Sequence, residues 1–314
     1  MDLPPKWRFK LERLKRQWRE NRDAQKANYD TSLRMCPSCR ALVARNESVC
    51  PDCGAKLKSP RARAGTGAEG RFLGVLPMPS SGTSLLGGVC IVLYILSWFM
   101  TERMGGAPAG GGMFGLFSYG DINTMVLVRL GAKYGPLMFA GQWWRLVTAI
   151  FLHAGLLHIG MNMWVLFDLG PEVESLFCTT KYVVIFLVTG IFGYIVSLWW
   201  MPGGISIGAS GALMGLIGAL IAASYRHGQL GKEYRSMLWR WVLYIAILGL
   251  FFSFDNAAHL GGLISGLALG YLVPEGEPDS GTSENLWNTL AILSVIIIAG
   301  SFALMALHFN LPFG

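Results

Sequence analysis

The sequence predicts an all-α, polytopic membrane fold preceded by a small soluble region, and three observations carry that prediction. Of 314 residues, 53% are hydrophobic and only 14% charged. The apolar residues gather into blocks close to the ~20 residues that a bilayer-crossing helix needs. The net charge of +7 is unevenly placed: residues 1–80 hold 17 Lys/Arg against 8 Asp/Glu, and the remainder holds 9 against 11.

Residues 1–30 form a basic segment with Trp7, Leu11, Leu14 and Trp18 at helical spacing. Such a helix suits an anionic membrane surface or a docked, solvated position equally well. Residues 31–58 contain Cys36-Pro37-Ser38-Cys39 and Cys50-Pro51-Asp52-Cys53-Gly54, a C-x2-C-x10-C-x2-C pattern. Two knuckles of this spacing resemble a short zinc ribbon, with four thiolates closing a tetrahedral Zn²⁺ site. Sulfur at all four positions leaves no open coordination place, so the zinc is expected to be structural. A cytoplasmic location argues against the alternative, two disulfides. Nucleic acid is not an expected partner, although basic residues beside a ribbon are compatible with one. Residues 59–83, rich in Gly, Pro, Ser and Ala, are expected to be a flexible linker to a membrane domain at 84–308.

Seven stretches read as spans: 84–100, 146–169, 182–201, 208–225, 237–252, 256–273 and 286–308. The fourth is the weakest expectation, because its glycines and alanines lower its hydropathy. Met1–Lys10 is charged and has no apolar core, so the first span is expected to serve as its own insertion signal. The basic N-terminal region is expected on the cytoplasmic side. Threading from there puts the loop with Arg226, Lys232, Arg235 and Arg240 inside as well, and the C-terminus outside. Trp98, Trp143, Trp144, Trp199, Trp200, Trp239, Trp241 and Trp287 fall near span ends, where interfacial anchors belong.

Polar side chains within spans are costly, and here they recur at matching ends. Span 2 is expected to open with His153, His158 and Asn162. The latter two are four apart and so share a helical face. Span 4 begins Gly208-Ala209-Ser210-Gly211, which sets Ser210 beside the free N–H groups and positive dipole of a helix start. Span 6 carries His259, with Gly262, Gly266 and Gly270 on its face. Gly211, Gly215 and Gly218 line the fourth span in the same way, so the two helices can pack closely and bring His259 to Ser210. A hydroxyl with an imidazole is the minimal set for acyl transfer, with His158, Asn162 and the Ser210 N–H as oxyanion donors. Asp255, four residues before His259, reads as an N-cap rather than as a third catalytic member.

H-x4-H-x3-N, G-x-S-G and A-H-x-x-G-x-x-x-G, with Trp144-Arg145 ahead of them, resemble the rhomboid intramembrane serine proteases. The resemblance covers about residues 84–308. It implies a six-helix core plus a C-terminal seventh helix (6+1), with Ser210 as nucleophile, His259 as general base and His158 and Asn162 as oxyanion donors. His153, Gly208 and Gly211 are accessory residues in this reading, and no catalytic cofactor is implied. The implied partners are transmembrane protein substrates in a lipid bilayer, and the implied location is a bacterial inner membrane with the site open to the outer side. One departure is Met214, where many members carry an aromatic residue packed on the histidine. A catalytically silent rhomboid-like protein and a transporter are the competing readings.

Overall fold

The computed structural model describes residues 33–35, 42–44, 47, 49–56, 71–72, 76–77, 81–105, 121–251, 254–278 and 281–309. Two compact units divide the chain, Met1–Gly67 and Ala68–Gly314. In the first, β1 (Leu33–Met35) and β2 (Leu42–Ala44) pair antiparallel. A second turn is closed by Cys50 N–H donating to Ala55 O (2.9 Å) and Gly54 N–H to Cys50 O (2.9 Å). Gly54 takes φ +70° there, which glycine adopts without strain. The basic segment 1–30 lies outside the described residues, as do Cys36 and Cys39. The second unit opens with a minimal antiparallel pair, β3 (Arg71–Phe72) and β4 (Leu76–Pro77).

Helices follow. They are α1 (Ser81–Arg103), α2 (Thr124–Arg129), α3 (Gly135–Phe139), α4 (Arg145–Phe151), α5 (Leu156–Phe177), α6 (Thr179–Trp200), α7 (Ser210–Ser224), α8 (Gly228–Phe251), α9 (Asn256–Leu272) and α10 (Gly281–His308). By length and composition α1, α6 and α10 can cross a membrane, and α4 with α5 make a fourth candidate. Large apolar side chains on α10, among them Ile292, Leu293, Val295 and Ile296, are exposed. In water that surface would be a liability; in a bilayer it faces lipid. The chain is a multi-pass integral membrane protein.

Span 2 departs from the sequence expectation of one helix over 146–169. It breaks into α4 and α5, bent by 91°. The corner contains extended Gly155 (φ −173°), and the Asp121 side chain occupies the space where a Cβ on Gly155 would sit. Ile122 N–H donates to Ala154 O (2.7 Å) across the same corner. His153 therefore lies in the break and not on the helix that carries His158.

The segment between α1 and α4 is held by buried polar groups. Arg145, 2% exposed, donates from Nη1 to Val128 O (2.7 Å) and Ala132 O (2.9 Å), and from Nε to Gln142 Oε1 (2.8 Å). Trp144 is buried rather than interfacial, which corrects its reading as a surface anchor. It packs 6.0 Å from the His308 ring at the end of α10.

Helix α7 is the centre of the bundle, with every residue from Gly211 to Ser224 buried. Glycine decides what surrounds it. A Cβ on Gly266 would lie 2.6 Å from Gly215 C, and one on Gly262 would lie 2.8 Å from Gly211 C. Real Cβ atoms do not approach so closely, so α7 and α9 touch backbone to backbone. With 15 residues, α7 is roughly 22 Å long, shorter than the ~30 Å hydrocarbon layer.

Candidate active site

Ser210 is the first residue of α7 and His259 lies in the first turn of α9. His259 Nε2 stands 2.8 Å from Ser210 Oγ, a hydrogen bond between two helices that share no loop. His259 is 6% exposed, and its ring packs on Phe254 (centroids 6.2 Å apart, 66° between planes). Among the described residues, His259 Nδ1 has no hydrogen-bond partner. Asp255 is the N-cap of α9: its Oδ1 accepts from Ala258 N–H (2.9 Å), and its Oδ2 accepts from Ser197 Oγ.

His158 approaches from α5. Its Nδ1 accepts from Ala154 N–H at 3.3 Å, which leaves the ring proton on Nε2 when the imidazole is neutral. That nitrogen would be 2.7 Å from a Cβ on Gly208, which is why a residue with φ +118° and no side chain occupies the position. A donor thus points at the backbone two residues before Ser210. Asn162, 5% exposed, uses one Nδ2 proton on His158 O (2.8 Å) and retains a second.

His153 is fully buried, with its ring 5.2 Å from that of His158. Neither of its ring nitrogens has a partner among the described residues. Gly211 lets α9 arrive, since a Cβ there would sit 3.4 Å from Ala258 O. Met214 is buried in the core, and the aromatic ring against His259 is supplied by Phe254.

Of the four cysteines assigned to zinc, Cys50 is buried and Cys53 exposed. Among the described residues no group of three or more His, Cys, Asp or Glu is placed to hold a metal.

Sequence reasoning missed three groups around the pair. Tyr194 OH donates to Gly208 O (2.9 Å) and approaches Ala149 O (3.2 Å). Ser197 reaches Asp255, as above. Buried Lys133 donates from Nζ to Met201 O (2.7 Å) and Gly204 O (3.2 Å), while its backbone pairs with Ser206. A signal for the first two was present: Gly190, Gly193, Tyr194 and Ser197 recur on one face of an otherwise apolar helix.

Fold and site together define a helical membrane protein with a hydrogen-bonded pair, a partly buried serine and a buried histidine, at the starts of two packed helices. Comparison with known proteins gives the family of that segment: residues 140–276 match the Rhomboid domain, and the chain carries one. It is 33% identical to the Rhomboid protease GluP of Bacillus subtilis (strain 168) over 223 residues, 69% of this chain and 40% of that protein. With the mitochondrial RHOMBOID-like protein 6 of Arabidopsis thaliana it shares 36% over 166 residues, covering 52% and 54% of the two chains. With the Rhomboid-like protease 3 of Toxoplasma gondii it shares 34% over 152 residues, covering 47% and 58%. The chain spans about half the length of these relatives.

Proposed function

We propose that this protein is an intramembrane serine endopeptidase that hydrolyses a peptide bond in or beside the transmembrane helix of a membrane-protein substrate. The observation that carries the reading is the 2.8 Å contact between His259 Nε2 and Ser210 Oγ, made across two helices in backbone contact. Hydrogen bonds of this length are what a nucleophile and its base need.

Ser210 Oγ attacks the scissile carbonyl carbon while His259 Nε2 takes the hydroxyl proton. The carbonyl oxygen becomes an oxyanion, met by the His158 Nε2–H, the second Asn162 Nδ2–H and the free N–H of Ser210 at the helix start. The imidazolium of His259 returns its proton to the leaving amine, the C–N bond breaks, and an acyl ester remains on Ser210. Water then adds to the ester while His259 takes its proton, and collapse releases the acid and regenerates the serine. Catalysis rests on a dyad in this reading, since His259 Nδ1 has no hydrogen-bond partner among the described residues, and Asp255 caps α9 instead. The shortness of α7 is compatible with a recess above Ser210, because a helix of roughly 22 Å in a ~30 Å layer cannot reach both surfaces.

The same reading places the membrane domain as a six-helix core plus α10, in a bacterial inner membrane, with the basic N-terminus cytoplasmic and the site opening outward. Cys36, Cys39, Cys50 and Cys53 would hold one structural zinc. What supports this reading is the C-x2-C spacing of the two pairs; the tight 50–54 turn, with Gly54 at positive φ, is compatible with it.

The test is labelling with a serine-directed fluorophosphonate, alongside cleavage of a transmembrane peptide in detergent. Wild type is labelled and cleaves; Ser210→Ala does neither. An unlabelled, inactive wild type would favour a silent rhomboid-like protein that binds membrane clients, and labelling of Ser210→Ala would remove Ser210 from the mechanism.

A further inference from the structure

The arrangement of Ser210 and His259 depends on a helix that supplies neither. On α6, Gly190, Gly193, Tyr194 and Ser197 follow one another at i, i+3, i+4 and i+7, and so share a face. The glycines admit the neighbours: a Cβ on Gly193 would lie 2.8 Å from Ala258 O, and one on Gly190 would lie 3.2 Å from the Ala212 Cβ. The two polar residues then tie those neighbours down. Tyr194 OH holds Gly208 O, two residues before Ser210. Ser197 Oγ holds Asp255, four residues before His259.

These bonds, like that of Thr148 Oγ1 to Gly131 O (2.8 Å), reach another element, and so differ from those of several other hydroxyls in the apolar helices. Ser97 Oγ donates to Leu93 O (2.7 Å), Thr189 Oγ1 to Ile185 O (2.7 Å), Ser265 Oγ to Gly261 O (2.9 Å) and Ser294 Oγ to Leu290 O (2.8 Å). Each closes on its own helix one turn back, the usual way to satisfy a hydroxyl where water is absent. Ser197 has the same option and leaves it for a neighbouring element. Both Tyr194 and Ser197 are buried, at 3% and 0% exposure. Their bonds therefore persist without competition from water and fix geometry between elements.

We propose that Tyr194 and Ser197 are positioning residues for the reaction, which rests on the proteolytic reading above. Tyr194 fixes the turn that presents the nucleophile, and Ser197 fixes the cap that presents the base. One rigid helix thereby sets the separation of Ser210 Oγ and His259 Nε2.

The experiment measures the single-turnover rate constant of fluorophosphonate labelling on the full chain in detergent, with labelling amplitude and peptide kinetics alongside. Tyr194→Phe keeps the ring and removes only the hydroxyl. Ser197→Ala removes the tether and leaves the Asp255 cap in place. Both are expected to label about 10- to 100-fold more slowly at full amplitude, with kcat lowered and KM within about twofold. Asp255→Asn keeps an oxygen for Ala258 N–H and turns its amide N–H toward Ser197 Oγ, so it is expected within about threefold of wild type. Reduced amplitude at an unchanged rate constant would mean that the hydroxyls only support folding, and would overturn the inference. Wild-type rate constants in both hydroxyl variants overturn it too, as does an Asp255→Asn protein as slow as Ser197→Ala, which would point to charge in place of the tether. If wild type labels no better than Ser210→Ala, the proteolytic reading fails first and takes the inference with it.

Discussion

Gly266→Ala tests how tightly the proposed nucleophile and base depend on helix contact. A Cβ at this position would stand 2.6 Å from Gly215 C and 2.7 Å from Gly215 Cα. Carbon atoms in ordinary contact lie about 3.5–4.0 Å apart, so α7 and α9 must separate by about 1 Å. Gly266 is two turns from His259 on one rigid helix, and the displacement is carried to the imidazole. The 2.8 Å bond to Ser210 then lengthens to roughly 3.8 Å, outside hydrogen-bonding range. A misplacement of this size costs about 10²-fold in rate. Stability changes less, because overpacking costs about 1–3 kcal/mol while alanine regains about 1 kcal/mol of helix propensity. Cleavage of a fluorogenic transmembrane peptide, measured with a thermal melt on the same preparation, separates the two effects. Gly88→Ala is the control, since nothing lies within 4 Å of a Cβ there, and it should leave both readings unchanged. A Gly266→Ala protein with kcat within about threefold of wild type would refute the reasoning, because the contact would then be slack.

Three further outcomes follow from other contacts. Glu174 Oε1 accepts from Gly82 N–H (3.0 Å) and Thr179 Oγ1 (2.6 Å), while Oε2 accepts from Thr83 N–H (3.2 Å). Glu174→Gln turns an amide N–H toward one set of donors and should destabilise the protein by about 1–3 kcal/mol, read as a lower melting temperature at unchanged kcat per labelled molecule. Asn162→Ala should lower kcat by about 10²–10³-fold yet stay above Ser210→Ala; activity at the level of that variant would give Asn162 a role beyond one oxyanion donor. Metal analysis of the purified full chain should find close to one zinc per molecule, falling to background in Cys50→Ser/Cys53→Ser, and an unchanged content in that variant would place any metal elsewhere.

The helical membrane class was legible because hydropathy is a property of composition summed over a span, and it survives ignorance of tertiary structure. The pairing of spans 4 and 6 was legible for a related reason: glycines at i+3, i+7 and i+11 from His259 leave α9 a bare stripe, and bare stripes in membranes seek backbone. The break at Gly155 was hidden because an apolar run shows no trace of a corner that a distant Asp121 carboxylate occupies. Trp144 was misplaced for the same reason, since the cover over it comes from His308, far along the chain. Lys133 shows the limit most clearly. A lone lysine in a loop reads as solvated, and only the folded loop surrounds it with the carbonyls of Met201 and Gly204.

These hidden contacts have a common physical origin. The hydrolytic centre proposed must admit water to polar atoms, while polar groups away from that water need protein partners, because lipid offers none. The structure resolves this by putting the reactive hydroxyl on the shortest of the long helices and by spending the surrounding polar groups on backbone carbonyls and caps. Arg145, Lys133, Tyr194 and Ser197 each bond to a loop or a helix end beside the site. None of them needs an aqueous partner, and together they leave the loop before Ser210 and the start of α9 little freedom to shift. Rigidity of the surround is what lets Ser210 and His259 meet at 2.8 Å with no hydrogen bond to His259 Nδ1 among the described residues. The cost of that economy is sensitivity. For the proposed dyad, whose geometry is set by packed backbones, activity is expected to fall long before the fold is lost.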